Sequence, residues 1–243
     1  MERLDRKYIT QHTSRKFNQE LEDVRNRVLA MGGLVEKQLD DVLRALCESD
    51  FELAERVVKA DARINAMEVE IDEECGQIIA RRQPAASDLR LLMMVIKTIT
   101  DLERIGDQAK RVAHSVQECE RSIASRAQVA DLRRLGERVS SMLRKSLDAY
   151  ARVDVDGALR VIHMDGAIDE ESEAITRNLM TFMMEDPRQI SPALNLLWCT
   201  RSLERMADHA KNICEYIVYM VEGRDVRHVS SAQMAAVERE RFG

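Results

Sequence analysis

A nine-residue string occurs twice in this chain, about a hundred residues apart. Residues 102–110 read Leu-Glu-Arg-Ile-Gly-Asp-Gln-Ala-Lys, and residues 203–211 read Leu-Glu-Arg-Met-Ala-Asp-His-Ala-Lys, at an offset of 101. The shared pattern Leu-Glu-Arg-x-x-Asp-x-Ala-Lys is too specific to arise twice by chance in a short chain. It indicates that the protein contains two copies of one structural unit.

The repeat extends beyond this motif. Residues 50–64 match residues 154–168 at an offset of 104, so the two copies differ by three residues between their matched blocks. We place that difference in the connectors 82–87 and 186–190, because insertions concentrate in surface connections.

Composition predicts an all-α protein. The 243 residues include 9 Gly, 3 Pro and 4% aromatic residues, beside abundant helix-forming side chains. Charged residues of both signs are interspersed, which is typical of long solvated helices. A net charge of −6 without a basic patch argues against nucleic-acid binding.

The sequence contains no run of 18 apolar residues and no signal peptide, so we expect a soluble cytoplasmic protein without membrane insertion. Five scattered cysteines without a Cys-x-x-Cys pair favour reduced, buried thiols over zinc binding or disulfides.

Apolar spacing and capping residues divide the chain into six long helices joined by short connections, which predicts two tandem, pseudo-symmetric antiparallel three-helix bundles. Asp50 and Asp154 are expected to cap the second and fifth helices, Ser191 to cap the sixth, and Gly223 to end it. The predicted helices span about 17–46, 51–79, 87–119, 128–150, 154–184 and 191–223. The predicted segments are an N-terminal segment (1–16), two repeats (17–121 and 126–223) and a polar tail (224–243).

Each copy of the motif carries two carboxylates one helical turn apart. Glu103 and Asp107 share one face in the first copy, and Glu204 and Asp208 share the equivalent face in the second. Like charges at this spacing repel each other, so they favour a counterion or raised pKa values.

Two further carboxylates fall inside apolar stripes. Asp61 lies on the stripe of the second helix and Asp165 on that of the fifth, where burial is costly unless the charge is paired or coordinated. We therefore predict one carboxylate triad in each half. Asp61 joins Glu103 and Asp107, Asp165 joins Glu204 and Asp208, and the possible extra ligands are Asp101, Asp169 and His209.

Two interpretations of these acids stay open. They bind a hard cation such as Mg, Mn, Ca or iron, which all-oxygen sites favour over zinc or copper. Alternatively they pair with nearby basic side chains, namely Arg104, Lys110, Arg205 and Lys211. For Asp101 and Asp169, which lie off the stripes, pairing is the favoured interpretation.

Several other classes of site are excluded because the chain lacks their sequence motifs. The chain has no Gly-x-x-x-x-Gly-Lys-[Ser/Thr] loop, no Glu three residues before a histidine as in di-iron bundles, and no readable Ser/His/Asp or Cys/His arrangement. We therefore expect a protein that is not an enzyme.

The duplicated Leu-Glu-Arg-x-x-Asp motif in the last helix of each predicted bundle resembles the PhoU family of phosphate-response regulators, over about residues 17–223. The resemblance implies a metal-binding E(D)-x-x-x-D motif at Glu103–Asp107 and at Glu204–Asp208. Ser202 stands where the first copy has Asp101, so the second site is expected to have one ligand fewer.

The function that this resemblance implies is negative regulation of the phosphate-starvation response. A cytoplasmic homodimer would link the ATPase subunit of the phosphate ABC transporter to the sensor histidine kinase, with Mg, Mn or Fe ions on its helical scaffold. Two alternatives remain: a carboxylate-bridged metal-dependent enzyme, and a helical adaptor without metal.

Overall fold

The predicted all-α architecture is confirmed by a computed structural model, which describes residues 15–118 and 126–223. The helices are α1 (Arg15–Glu48), α2 (Phe51–Arg82), α3 (Ala86–Glu118), α4 (Arg126–Arg152), α5 (Val155–Ile162), α6 (Asp165–Glu185) and α7 (Ile190–Glu222), with a 3-10 helix (Pro187–Gln189) before α7. Helices α1 to α3 form one antiparallel three-helix bundle, and α4 to α7 form the second. The predicted tail and most of the N-terminal segment, with Cys119, lie outside the described residues.

Three of the predicted helix ends are confirmed by their capping geometry. The side chain of Asp50 accepts a hydrogen bond from the backbone N–H of Leu53, and Asp154 caps Gly157 in the same way. Gly223 ends α7 in the left-handed conformation, with φ of 69°. These ends depend on local chemistry, which the sequence displays directly.

The prediction of one continuous fifth helix is wrong. The chain leaves the α-helix at His163 and Met164, where the N–H of Met164 bonds to the carbonyl of Val161. Gly166 follows directly, whereas the equivalent position of α2 is Ala62, so the second copy has lower helix propensity at this point.

The predicted start of the last helix is also wrong. Ser191 lies inside α7 rather than before it, because the preceding 3-10 helix already turns the chain into the helical path. Asp186 caps that 3-10 helix through the backbone N–H of Arg188, at 3.0 Å. A stronger local cap therefore sits five residues before the predicted one.

The two halves pack through α3 against α7 and through α1 against α4. A Cβ atom at Gly32 would lie 2.7 Å from Cδ2 of Leu147, and one at Gly136 would overlap Leu43. Gly32 and Leu43 correspond to Gly136 and Leu147 at the repeat offset of 104, so each half places a leucine over the glycine of the other. This reciprocal contact indicates a pseudo-twofold relation between antiparallel helices.

None of the four cysteines among the described residues forms a disulfide. Cys75, Cys199 and Cys214 are buried and Cys47 is half-buried. Burial raises the pKa of the Cys75 thiol to about 12, so this thiol stays protonated at neutral pH.

Candidate functional site

The buried carboxylate of α2 is held by a lysine. Asp61 is 2% exposed, and its Oδ2 atom lies 2.8 Å from Nζ of Lys110 on α3. Asn65 donates a second, longer hydrogen bond to the same oxygen, at 3.4 Å. The other oxygen, Oδ1, is buried without a hydrogen-bond partner among the described residues. The ammonium group thus supplies the countercharge that burial of Asp61 requires.

The second half repeats this pair. Asp165, the first residue of α6, is buried, and its Oδ2 atom accepts from Nζ of Lys211 on α7. Its Oδ1 atom also lacks a hydrogen-bond partner in the part of the chain that the structure describes. The last residue of each nine-residue motif therefore pairs with a buried aspartate of the preceding helix, and not with a carboxylate of its own motif.

In the first half, Glu103 and Asp107 lie half-buried on α3, on the side that faces α2. Burial raises the pKa of Glu103, and the neighbouring charges of Asp107, Glu68 and Asp61 raise it further. Glu68 lies seven residues after Asp61 and therefore two turns along the same face of α2. Glu68 was not among the predicted site residues, although its spacing from Asp61 is visible in the sequence. Its pKa is also raised, chiefly by burial.

In the second half, Glu204 and Asp208 lie on α7 beside α6. Glu204 accepts a hydrogen bond from Oγ of Ser172, at 2.8 Å. Burial raises the pKa of Asp208, and the nearby Asp165 raises it further while Lys211 opposes the shift. Asp169 belongs to the same group, because burial and the charges of Asp165, Asp208 and Glu204 raise its pKa.

Asp101 lies apart from the acids of its own half. It is buried between α3 and α7, where its Oδ1 atom lies 2.7 Å from Nδ1 of His209 and 3.3 Å from Nδ2 of Asn212. It therefore joins the two halves rather than extending the Glu103–Asp107 pair. The ring nitrogen that His209 would offer a metal on that side is already in contact with Asp101.

We name the two groups by their residues. The first acidic face consists of Asp61, Glu68, Glu103 and Asp107, and the second acidic face consists of Asp165, Asp169, Glu204 and Asp208. A cavity of about 500 Å³ between α3 and α7 is lined by acids of both faces, Glu103, Asp107 and Asp208, together with arginines. A second cavity of about 550 Å³ lies over Ser172, Glu204 and Asp208.

The donor atoms of both faces suit a hard cation, since all are carboxylate oxygens. However, within residues 15–118 and 126–223 no three His, Cys, Asp or Glu side chains are grouped closely enough to hold a metal ion. Binding would therefore require these side chains to change rotamer. None of the described helices is long and apolar enough to span a membrane.

A family model described as "PhoU domain" matches residues 28–116 and 132–217, which fall within the two predicted repeats. A Pseudomonas aeruginosa protein named "Phosphate-specific transport system accessory protein PhoU homolog" is 52% identical over 227 residues, covering 93% of each chain. An Escherichia coli protein of the same name without "homolog" is 46% identical and covers 95% of each chain.

Two solved structures have the same fold. The crystal structure of PhoU from Pseudomonas aeruginosa matches with a TM-score of 0.83 at 52% identity, covering 86% of this chain and 100% of that one. The phosphate transport system regulatory protein PhoU from Streptococcus pneumoniae matches with a TM-score of 0.80 at 30% identity, covering 86% of this chain and 99% of that one.

Proposed function

Because this chain belongs to the PhoU family, we propose that it is a cytoplasmic accessory protein of a phosphate-specific ABC transporter that represses the phosphate-starvation response. It would act as a homodimer that contacts the transporter's ATPase subunit and the sensor histidine kinase, keeping the kinase inactive when phosphate is plentiful. It would work by docking, without catalysing a reaction. The observation that carries this proposal is the match of both repeats to relatives named for phosphate transport.

The described surface suits a protein that works by contact. Long helices expose mixed charge, and several large apolar side chains lie on the surface of the second half. Met184 is 78% exposed and Met180, one turn before it on α6, is 51% exposed, and adjacent apolar side chains on a surface mark an interaction site. Two similar halves also offer two related docking surfaces.

Deletion of the gene tests this function. We expect the deletion strain to express alkaline phosphatase in phosphate-rich medium, and a plasmid copy to restore repression. Normal repression in a strain that has no second copy of the gene would overturn the proposal. Co-purification of the tagged protein with the kinase and with the ATPase subunit would test the two partners separately.

We further propose that the two acidic faces bind divalent or ferric ions such as Mg, Mn or Fe. The residues in contact with the ion would be Glu103 and Asp107 in the first half, and Glu204 and Asp208 in the second. The raised pKa values of Glu103 and Asp208 support this. Burial raises both, the charges of neighbouring carboxylates raise them further, and a cation would offset the repulsion between those carboxylates. A bound cation would supply a positive charge that joins two helices.

The metal proposal is tested by calorimetry and elemental analysis with Mn²⁺, Mg²⁺ and Fe³⁺. We expect the quadruple variant E103A/D107A/E204A/D208A to lose binding while its helicity is unchanged. The control is E70A/E74A, which removes another pair of acids one turn apart on α2 that instead contacts Arg27. Full metal occupancy in the quadruple variant would contradict the proposed ligands. No metal binding by the wild type would contradict the proposal as a whole and favour the alternative of a helical adaptor that binds no metal.

Three inner carboxylates are tested in the same way. We expect D61N and D165N to weaken metal binding if these residues reach the ion once their lysines move away. D101N should leave binding unchanged, because Asp101 contacts His209 and Asn212 between the two halves. A loss of affinity in D101N would place Asp101 among the ligands, as the extra ligand that the sequence left possible.

A further inference from the structure

The two ends of the contact between α3 and α7 differ, although the repeat relates them. Exchanging α3 and α7 at the offset of 101 carries Asp101 onto Ser202, Asn212 onto Arg111, and Lys97 onto Trp198. We call the end with Asp101 the filled end and the end with Trp198 the open end. Both ends belong to the same pair of helices, so their differences come only from the side chains at equivalent positions.

At the filled end, side chains contact one another across the two helices. Asp101 bonds to His209 and Asn212, and Nζ of Lys97 lies 5.3 Å from the ring centroid of Tyr216. Polar side chains of α3 and α7 are therefore hydrogen-bonded to each other at this end, and a cation–π contact joins the two helices nearby.

At the open end, the same positions line a solvent-open cavity of about 440 Å³. Ser202 and Ser115 replace Asp101 and Tyr216, so less side-chain volume lies between the helices. The volume falls in the range of small-molecule sites, which is about 300–1,000 Å³.

The substitutions at the open end also change its charge. Arg111, Arg201 and Arg205 line the cavity together with His114, against one carboxylate, that of Glu118. Among the described residues, the guanidinium groups of these three arginines form no ion pair or hydrogen bond, whereas those of Arg82 and Arg138 are paired with glutamates. Guanidinium groups from both helices thus face this cavity in a protein whose net charge is −6. Arg111 and Arg205 also line the neighbouring cavity of Glu103, Asp107 and Asp208, and Arg201 and Arg205 also line the one over Glu204.

The wall of this cavity also carries the single tryptophan of the chain. Trp198 is 59% exposed, so its indole ring is open to a planar partner. Arginines bind phosphate oxygens in a two-pronged geometry, and an aromatic ring stacks on a nucleobase. The arginines suit the phosphates of a nucleotide, and the tryptophan suits its base.

We propose that the cavity at the open end binds a nucleoside phosphate, with its phosphates on Arg111, Arg201 and Arg205 and its base on Trp198. The site uses side chains of two helices and not the backbone of a glycine-rich loop, which is why no nucleotide motif appears in the sequence. It lies between α3 and α7 and is separate from the pairs of Asp61 and Asp165 with their lysines.

The fluorescence of Trp198 tests the proposal directly, because no other tryptophan contributes. The full-length protein is titrated with ATP, ADP, adenosine and pyrophosphate in buffer with chelator, so that metal at the acidic faces plays no part, and calorimetry measures each Kd. We expect ATP and ADP to change the fluorescence saturably with Kd below about 1 mM. Adenosine should not bind, and pyrophosphate should bind about tenfold more weakly than ADP.

Variants locate the site. R111A and R201A each change an exposed side chain, so the fold should persist, and each should weaken ADP binding about tenfold or more. W198A should weaken ADP binding, but not pyrophosphate binding. The control is R56A, which removes an exposed arginine of α2 and should leave both affinities unchanged.

Three results would overturn the proposal. The first is the absence of saturable binding of either nucleotide. The second is equal affinity for ADP and pyrophosphate, which would indicate a simple polyanion site. The third is unchanged ADP binding in both R111A and R201A, which would place the nucleotide elsewhere.

Discussion

The two acidic faces share a buried ion pair and a Glu-x-x-x-Asp pair, and they differ in the residues that surround the ion pair. Each contains a buried aspartate paired with the lysine that ends the nine-residue motif, Asp61 with Lys110 and Asp165 with Lys211. Around these pairs the copies diverge. Asn65 and Glu68 of α2 correspond to Asp169 and Ser172 of α6. The ion pair is thus part of the repeated architecture, whereas these two positions of α2 and α6 distinguish the two copies.

The largest expected difference between the faces concerns the two lysines. K110M and K211M each leave a buried carboxylate without its countercharge, and each should lower the free energy of unfolding by about 2–3 kcal/mol, allowing for partial solvent exposure of the lysine. K211M should cost more, because Asn65 still donates to Asp61, whereas the equivalent Asp169 adds a like charge near Asp165. Urea unfolding in chelator measures both values.

The matched controls are D61N/K110M and D165N/K211M, which remove the buried charge together with its partner and should regain part of the lost stability. Equal losses in the two single variants would show that the residues around each pair do not affect it. No loss in either variant would mean that the pairs do not stabilise the fold.

A smaller difference is expected at the reciprocal contacts of α1 and α4. Alanine at either glycine gains helix propensity but pushes against a buried leucine. A Cβ atom added at Gly136 would lie closer to Leu43 than a Cβ atom added at Gly32 would lie to Leu147. G136A should therefore lower the free energy of unfolding by about 1–2 kcal/mol, and G32A by less than about 1 kcal/mol. Thermal unfolding shows which variant is less stable. Restored stability in G136A/L43A would assign the loss of stability in G136A to the contact with Leu43.

The smallest effect should come from the outer acids and depend on pH. The raised pKa of Glu103 means that the folded state favours its protonated form, so its contribution to stability is present below the ordinary carboxyl pKa and is lost as pH rises through the raised value. E103Q should therefore stabilise the metal-free protein at neutral pH by less than about 1 kcal/mol, and the gain should vanish in acid.

The comparison variant is E204Q, which keeps an oxygen for Ser172 and should have a weaker effect at neutral pH. Unfolding curves from pH 4 to pH 8 would test both variants. A gain in E103Q that persists in acid would assign the effect to packing and not to charge.

Much of the fold was predictable because it depends on local chemistry and on the repeat. The caps at Asp50 and Asp154 and the stop at Gly223 are properties of a few neighbouring residues. The break at His163 was not predicted, since the apolar stripe continues through it and only the glycine at position 166 hints at weaker helix formation. The repeat itself misled here, because α2 is continuous at the matching position.

The site was predictable only in part. Burial of Asp61 and Asp165 followed from their apolar stripes, and the structure confirms it. Their lysine partners lie 49 and 46 residues away, so pairing depends on how adjacent helices are aligned, which periodicity does not specify. The contact of Asp101 with His209 depends further on how the two halves pack, a level that one repeat alone cannot reveal. Metal binding stays a prediction.

The break before Asp165 gives the second half a kinetic property that the first half lacks. The N–H of Met164 bonds to the carbonyl of Val161, three residues before it, so the regular hydrogen-bond ladder is interrupted there. Helix α6 can therefore fray from its first turn without unwinding α5. In α2 the corresponding carboxylate lies in the middle of an unbroken helix, and exposing it requires opening several turns. Amide hydrogen exchange should therefore be faster at 163–167 than at 59–63, and the second buried aspartate should meet solvent, and any solute in it, far more often than the first.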